Sequence, residues 1–196
     1  MDEKGFRQGI YDRAKVICLY RGRGMTGKLA TDGNREMITV VEAISGGGYV
    51  LPPLVIYKGA GHYMGWYQFL KSPEIDCDNW RFSYSKKGWT SRSLGLAWIQ
   101  HFHEMTKGSI KAGEYQMLIV DGHSSHISIE FIEFCLTVNI ITYCLPLHST
   151  HLLQLLDVGL FSPLQKAYGK QVDHLVRFGN ITINEGNFLP MLVAAR

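Results

Sequence analysis

Three consecutive segments between residues 114 and 146, EYQMLIVDG, SIEFIEFCLTVN and IITYCLP, constrain the fold more than any other part of the chain. The first is a short, nearly continuous apolar run, the pattern of a strand buried on both faces. The second carries apolar residues around most of its circumference at helical spacing, and the third is again strand-like. Strand, helix and strand in that order imply a right-handed crossover between parallel strands.

Upstream, AKVICLY (14–20), MITVVEAIS (37–45) and YVLPPLVIYK (49–58) are β-branched, aromatic-rich runs separated by glycine-rich punctuation. They read as consecutive strands of an antiparallel meander. Pro52 and Pro53 call for a bulge, an edge or a break. An irregular region containing Trp66, Tyr67, Trp80 and Tyr84 follows.

TSRSLGLAWIQHFHEMTKG then places Leu94, Trp98, Phe102 and Met105 near one helical face, with Thr90 or Ser91 as the start cap and Gly108 as the end. From Asp157 the periodicity is helical, though Gly159, Pro163 and Gly169 argue against a smooth run. A last helix is expected near TINEGNFLPMLVAAR, with Thr182 and Glu185 in capping-box spacing. The fold class is therefore α/β, a mixed sheet of three antiparallel strands followed by a βαβ unit and flanked by helices.

The 196 residues, 46% hydrophobic, suffice for one domain with a substantial core. A net charge of +3 does not by itself argue for a nucleic-acid partner. Residues 1–35 do concentrate basic side chains, namely Lys4, Arg7, Arg13, Lys15, Arg21, Arg23, Lys28 and Arg35. A solvated loop and a phosphate-contacting one remain equally open for them. Cys18, Cys77, Cys135 and Cys144 lack CxxC spacing and read as reduced core thiols. No run has the roughly 18–20 apolar residues of a membrane span, and MDEKGFRQG is too polar for a signal peptide.

A mixed sheet of this order brings the ends of its first and fourth strands side by side. Asp2 closes what would be the first strand, Asp121 closes the fourth, and Asp157 starts a helix that approaches the same edge. Three carboxylates in one place repel one another unless cations neutralise them. Oxygen-only ligands suit Mg²⁺ or Mn²⁺, and two such ions about 3.5–4 Å apart stabilise an in-line phosphoryl displacement. From spacing alone, aspartates at strand ends and helix starts serve equally as turn residues and caps.

The segments MDEKGF, GNREMITVVEAISGGGYVLPPLVIYKG, LIVDGHSSH and CLPLHSTHLLQLLDVGLFSPLQKAY resemble, in order, the DDE superfamily endonuclease domain of pogo/Tigger-like transposases of the Tc1/mariner group, particularly the fungal forms. The resemblance implies an RNase H-like fold. It carries the first catalytic aspartate onto Asp2, the second onto Asp121 and the third acidic residue onto Asp157, a DDD variant. It further implies a metal-dependent DNA endonuclease and strand transferase with two Mg²⁺ or Mn²⁺ ions held by these three aspartates. DNA as partner, a homodimer in the strand-transfer complex and a nuclear location follow from the same resemblance, with no membrane association.

His123 and His126 either orient a carboxylate or contact the scissile phosphate, while Ser124, Ser125 and His126 serve equally as the first turn of the next helix. The structural role is favoured for His126, and that of His123 stays open. His148 and His151 have no cysteine at ligand spacing, so a zinc site is not expected. Trp66, Trp80, Trp89 and Trp98 read as core, although an exposed one near the basic segment would be placed to touch DNA. Lys166 and Lys170 read as solvated helix charges.

Three departures from the family pattern stand out. Leu147 and Leu155 replace its usual prolines. The strand holding Asp2 is expected to be largely truncated, leaving its neighbour without a ladder partner. The family's helix-turn-helix region is not within the chain. Residues 1–196 are thus expected to form one DDE-type catalytic domain, incomplete at its N-terminus and, from its apolar ending, at its C-terminus. The alternative is a catalytically silent, transposase-derived DNA-binding or chromatin-associated protein.

Overall fold

The computed structural model describes residues 1–8, 36–67, 77–111, 113–146, 149–177 and 183–196. Strands β1 (Asp2–Arg7), β2 (Met37–Glu42) and β3 (Leu54–Lys58) form an antiparallel meander. A fourth strand, β4 (Arg81–Ser85), adds parallel to β3 in the order β1-β2-β3-β4. The sheet is mixed, as the sequence suggests. Pro52 and Pro53 fall just before β3, where their missing N–H groups cost no ladder bond. The expected 14–20 strand, Cys18 and the basic residues from Arg13 to Arg35 lie outside the described residues.

Two expectations about the first strand change. Asp2 opens β1 rather than closing a lost strand, and every residue from Asp2 to Arg7 is paired with β2, from Asp2 opposite Glu42 to Arg7 opposite Met37. β2 therefore has a full ladder partner. Region 81–85 is a strand, not irregular chain; its half-exposed RFSYS sequence carries too little apolar alternation to announce itself.

Helix α1 (Arg92–Thr106) follows, and the Ser91 hydroxyl accepts the Leu94 N–H at 3.3 Å as its N-cap. Strands β5 (Gln116–Val120) and β6 (Ile140–Cys144) pair in parallel, joined through α2 (Ile129–Thr137). Here the expectation of burial on both faces fails. Leu118 and Val120 are buried, but Met117, Ile141 and Tyr143 on the far side are exposed, because α1 and α2 cover one face only. Ile129, Ile132 and Leu136 of α2 are exposed in the same way, so its apolar circumference is not all core. Cys135 is buried, Cys77 half-buried and Cys144 exposed.

A short helix α3 (Thr150–Leu153) leads into a π-helical turn, Leu156–Leu160, which runs directly into α4 (Phe161–Arg177). Gly159 lies in the widened turn and Pro163 in the first turn of α4, where a missing N–H is tolerated. Helix α5 (Glu185–Ala195) is capped by Asn184, whose side chain accepts the Asn187 N–H at 3.3 Å while the Asn187 side chain accepts the Asn184 N–H at 3.2 Å. The capping box thus sits at Asn184 and Asn187; Thr182 lies outside the described residues.

Helices cover both faces of the four-stranded sheet. Phe6, Ile38, Val40, Val55 and Tyr57 pack against Tyr168 and Val172 of α4 and Phe188 and Leu192 of α5. Val41, Leu54 and Ile56 pack on the other side with Trp98 and Ile99 of α1 and with Leu118 and Val120 of β5. Each such fully buried large side chain contributes about 1.5–3 kcal/mol through its removal from water. Alternation along β1 sends Met1 and Phe6 into opposite layers, and this is what aims the residues between them.

Candidate active site

The start of β1, the end of β5 and the π-helical turn before α4 meet at one corner. The Met1 amino nitrogen donates to the Ile119 carbonyl oxygen at 3.0 Å, and the Gln154 side-chain amide donates to the Met1 carbonyl at 3.1 Å. Backbone at Met1 therefore ties together the strand that ends at Asp121 and the turn that carries Asp157. Leu118 and Val120 bury one face of β5 up to its last residue, so the chain surfaces at Asp121 and presents its carboxylate at the sheet end.

Asp2 is buried, at 5% exposure. Its Oδ1 accepts the Glu3 N–H at 2.8 Å, and its Oδ2 is buried with no hydrogen-bond partner. Burial pushes its carboxyl up to about 7, and the nearby negative charges of Asp157 and Asp121 push in the same direction against the Glu3 N–H. Asp121 and Asp157 are thus each within electrostatic reach of Asp2. Among the described residues, however, no three His, Cys, Asp or Glu side chains stand together at metal-holding distance. The Lys4 ammonium holds Asp157 Oδ1 at 3.1 Å and lies 5.3 Å from the Phe161 ring centroid.

A fourth acid, missed in the sequence, completes the corner. Glu3 points to the face opposite Asp2 and accepts hydrogen bonds from the Thr90 hydroxyl, from Ser125 Oγ at 3.3 Å and from His126 Nε2 at 2.9 Å. The other nitrogen of His126, Nδ1, donates to Asp121 Oδ1 at 2.9 Å. Burial opposes charge on this ring, but hydrogen bonds and charges from Asp121 and Glu3 outweigh it and raise His126 to about 9. It is an imidazolium with both N–H groups used. Burial acts to raise Asp121, yet His126 and the His123 N–H hold it below its ordinary value; Glu3 is lowered in the same way by His126 and Thr90.

His126 therefore orients a carboxylate and is not part of the helix turn: Ser128 caps α2 instead, through Phe131 N–H at 3.3 Å. The His123 backbone N–H reaches Asp121 Oδ1 at 3.2 Å, and its ring Nδ1 lies 2.7 Å from Ser125 Oγ. The signal for Glu3 was its place beside Asp2 in MDEKGF with period-2 alternation, which sends two adjacent acids to different partners. Gly95 on α1 lets this loop approach, since a Cβ there would overlap the Ser125 carbonyl oxygen. His148 and the side chain of His151 lie outside the described residues, as does Leu147. Leu155 is exposed, and Lys166 and Lys170 are exposed on α4.

The donor chemistry fits a hard divalent cation. The three side chains offer only oxygens, and Asp2 keeps one buried oxygen unpartnered, at a position where a cation would offset the mutual repulsion.

The family model described as "DDE superfamily endonuclease" matches residues 34–195. The chain is 36% identical over 194 residues to "MFS-type transporter clz9" of Cochliobolus lunatus, covering 99% of this chain and 20% of that protein. It is 24% identical over 155 residues to "Pogo transposable element with KRAB domain" of Homo sapiens, covering 79% of this chain and 24% of that one. The chain thus spans a quarter or less of these relatives. Among the described residues no helix is long and apolar enough to cross a membrane. The fold matches the Mos1 transposase in its paired-end complex with the left transposon end, with a TM-score of 0.51 at 16% identity, over 97% of this chain and 50% of that one. That likeness gives the RNase H-like fold, and with the family match over most of its length the chain belongs to the DDE superfamily endonucleases.

Proposed function

We propose that the domain is a metal-dependent DNA endonuclease and strand transferase of a transposase, acting in the nucleus on DNA. The observation that carries this is the buried, unpartnered Asp2 Oδ2 within electrostatic reach of Asp121 and Asp157. Asp2, Asp121 and Asp157 would hold two Mg²⁺ or Mn²⁺ ions. When bound, such ions stabilise charge on the attacking and leaving oxygens of a phosphodiester displacement. His126 keeps the Asp121 carboxylate ionised and fixed in direction, while Glu3 balances the histidine charge. Lys4, beside Asp157 at the same corner, would supply a cation for a phosphate.

Supercoiled plasmid incubated with the chain in Mn²⁺ tests the reading: nicked circles are expected from the native chain and none above background from Asp121→Asn. Equal nicking by that variant overturns the assignment.

A second reading, a DNA-binding protein without cleavage, is favoured by one contact. Lys4 already neutralises Asp157 Oδ1, which weakens the case for a cation there. Calorimetry at millimolar Mn²⁺ separates the two, because carboxylate-dependent heat is expected only for the nuclease.

A further inference from the structure

Of the tryptophans in the described region, Trp98 and Trp66 are buried and Trp80 is half-buried, but Trp89 is 49% exposed. Its position is not loose. The Ser85 hydroxyl donates to the Trp89 carbonyl at 2.7 Å, and the Thr39 hydroxyl donates to the Gly88 carbonyl at 2.6 Å. Gly88 adopts a φ of +75°, and a Cβ there would meet the Met37 carbonyl oxygen at 2.7 Å, so only glycine makes this turn. The next residue, Thr90, is bound to Glu3. An exposed indole on so fixed a turn is preorganised for a partner.

What lies beside it names the partner. Trp89 borders a groove of about 510 Å³ whose walls carry two cations, Lys4 and Arg7, and two acids, Glu3 and Asp157, with Gln165 beside them. The Gln165 amide donates to the Gly5 carbonyl at 3.4 Å, bridging the groove from α4 to β1. One aromatic face, two cationic side chains and a direct border on the carboxylate corner match a nucleotide with its flanking phosphates.

We propose that this groove is a nucleotide subsite in which the Trp89 indole stacks on an unpaired base of the DNA, while Lys4 and Arg7 meet the adjoining phosphates. The subsite rests on the reading of the domain as DNA-acting and adds to it a preference for distorted or single-stranded DNA next to the cleaved bond. Trp89 is a positioning residue: it touches a base, not the reacting phosphate. Stacking is tolerant of base identity because every base has a π-face, so the preference is for an unpaired base and not for a sequence.

The test measures binding alone, so that it does not depend on cleavage. A fluorescently labelled forked duplex and a fully paired duplex are titrated with the 196-residue chain, with Trp89→Ala and with Trp89→Phe, in Ca²⁺ at fixed salt. Trp89→Ala is expected to weaken the forked duplex about 5- to 100-fold, with the paired duplex nearly unchanged and Trp89→Phe close to native. Matching thermal melts confirm that the exposed substitution leaves the fold intact. Equal affinity of the native chain and Trp89→Ala for the forked duplex overturns the subsite, as does equal loss on both DNAs or the absence of any binding by the native chain. A native chain that binds in this Trp89-dependent way but never nicks plasmid supports the subsite and defeats the nuclease reading.

Discussion

His126 and Glu3 stand 123 positions apart in sequence and 2.9 Å apart in the fold, Nε2 to Oε1. With the other ring nitrogen on Asp121, the imidazolium is the shared counter-ion of two acids, one on β1 and one just past the end of β5. Removing it leaves both carboxylates partly buried and uncompensated. His126→Ala is expected to lower stability by about 3 kcal/mol in urea unfolding and to abolish nicking. A loss under about 1 kcal/mol would show that the bridge contributes little.

The Lys4 ion pair with Asp157 competes with any cation at the corner. Lys4→Met should tighten Mn²⁺ binding by up to about fivefold in calorimetry, the equivalent of a partly exposed ion pair. Asp157→Asn should weaken it. Weaker binding by Lys4→Met would mean that the lysine organises the site and does not compete for it.

Much of this was legible beforehand where a residue sits at the end of a strongly patterned element. MLIV dictates where β5 stops and so where Asp121 emerges, and SLGLAWIQHFHEM dictates α1 with its Ser91 cap. What stayed hidden depends on tertiary pairing. Arg81–Ser85 is a strand only because β3 offers it an edge, and the exposed side of β5 and β6 reflects which helices arrive. Asp2 was misplaced because its ladder partner, Glu42, is 40 residues on, beyond the reach of a local pattern. Glu3 went unnoticed because its partners, Thr90, Ser125 and His126, come from two other segments.

Away from this corner, His101 gives a pH dependence. Its Nε2 donates to the Pro52 carbonyl at 3.0 Å and its Nδ1 accepts from Arg81 Nε at 3.4 Å, so the neutral ring is the one that fits. Burial lowers its pKa from the ordinary 6.5, and the Arg81 charge adds to this against the Pro52 bond. The folded state then binds this proton less readily than the unfolded one. The stability it contributes is present above pH 6.5 and is lost as pH falls below it. His101→Gln should flatten the decline in melting temperature between pH 6.5 and about 5 relative to the native chain. An unchanged slope would remove His101 from the account.

Gly95 supplies a steric test. Gly95→Ala drives a methyl into the Ser125 carbonyl, displacing the loop that seats His126, and should cost about 2 kcal/mol together with nicking activity. Gly108→Ala, where a Cβ meets nothing within 4 Å, serves as the neutral control. Similar melts for the two variants would show that α1 yields to the loop.

The alternation of β1 has a consequence for how this domain tolerates change. Asp2, Lys4 and Phe6 face α4, while Met1 and Glu3 face the opposite layer, so one strand carries two sets of instructions interleaved. Deleting the single residue Glu3 would bring Lys4 to the histidine and turn Phe6 out of its layer at one stroke. Point substitutions there should be graded in effect, whereas length changes should be all-or-none.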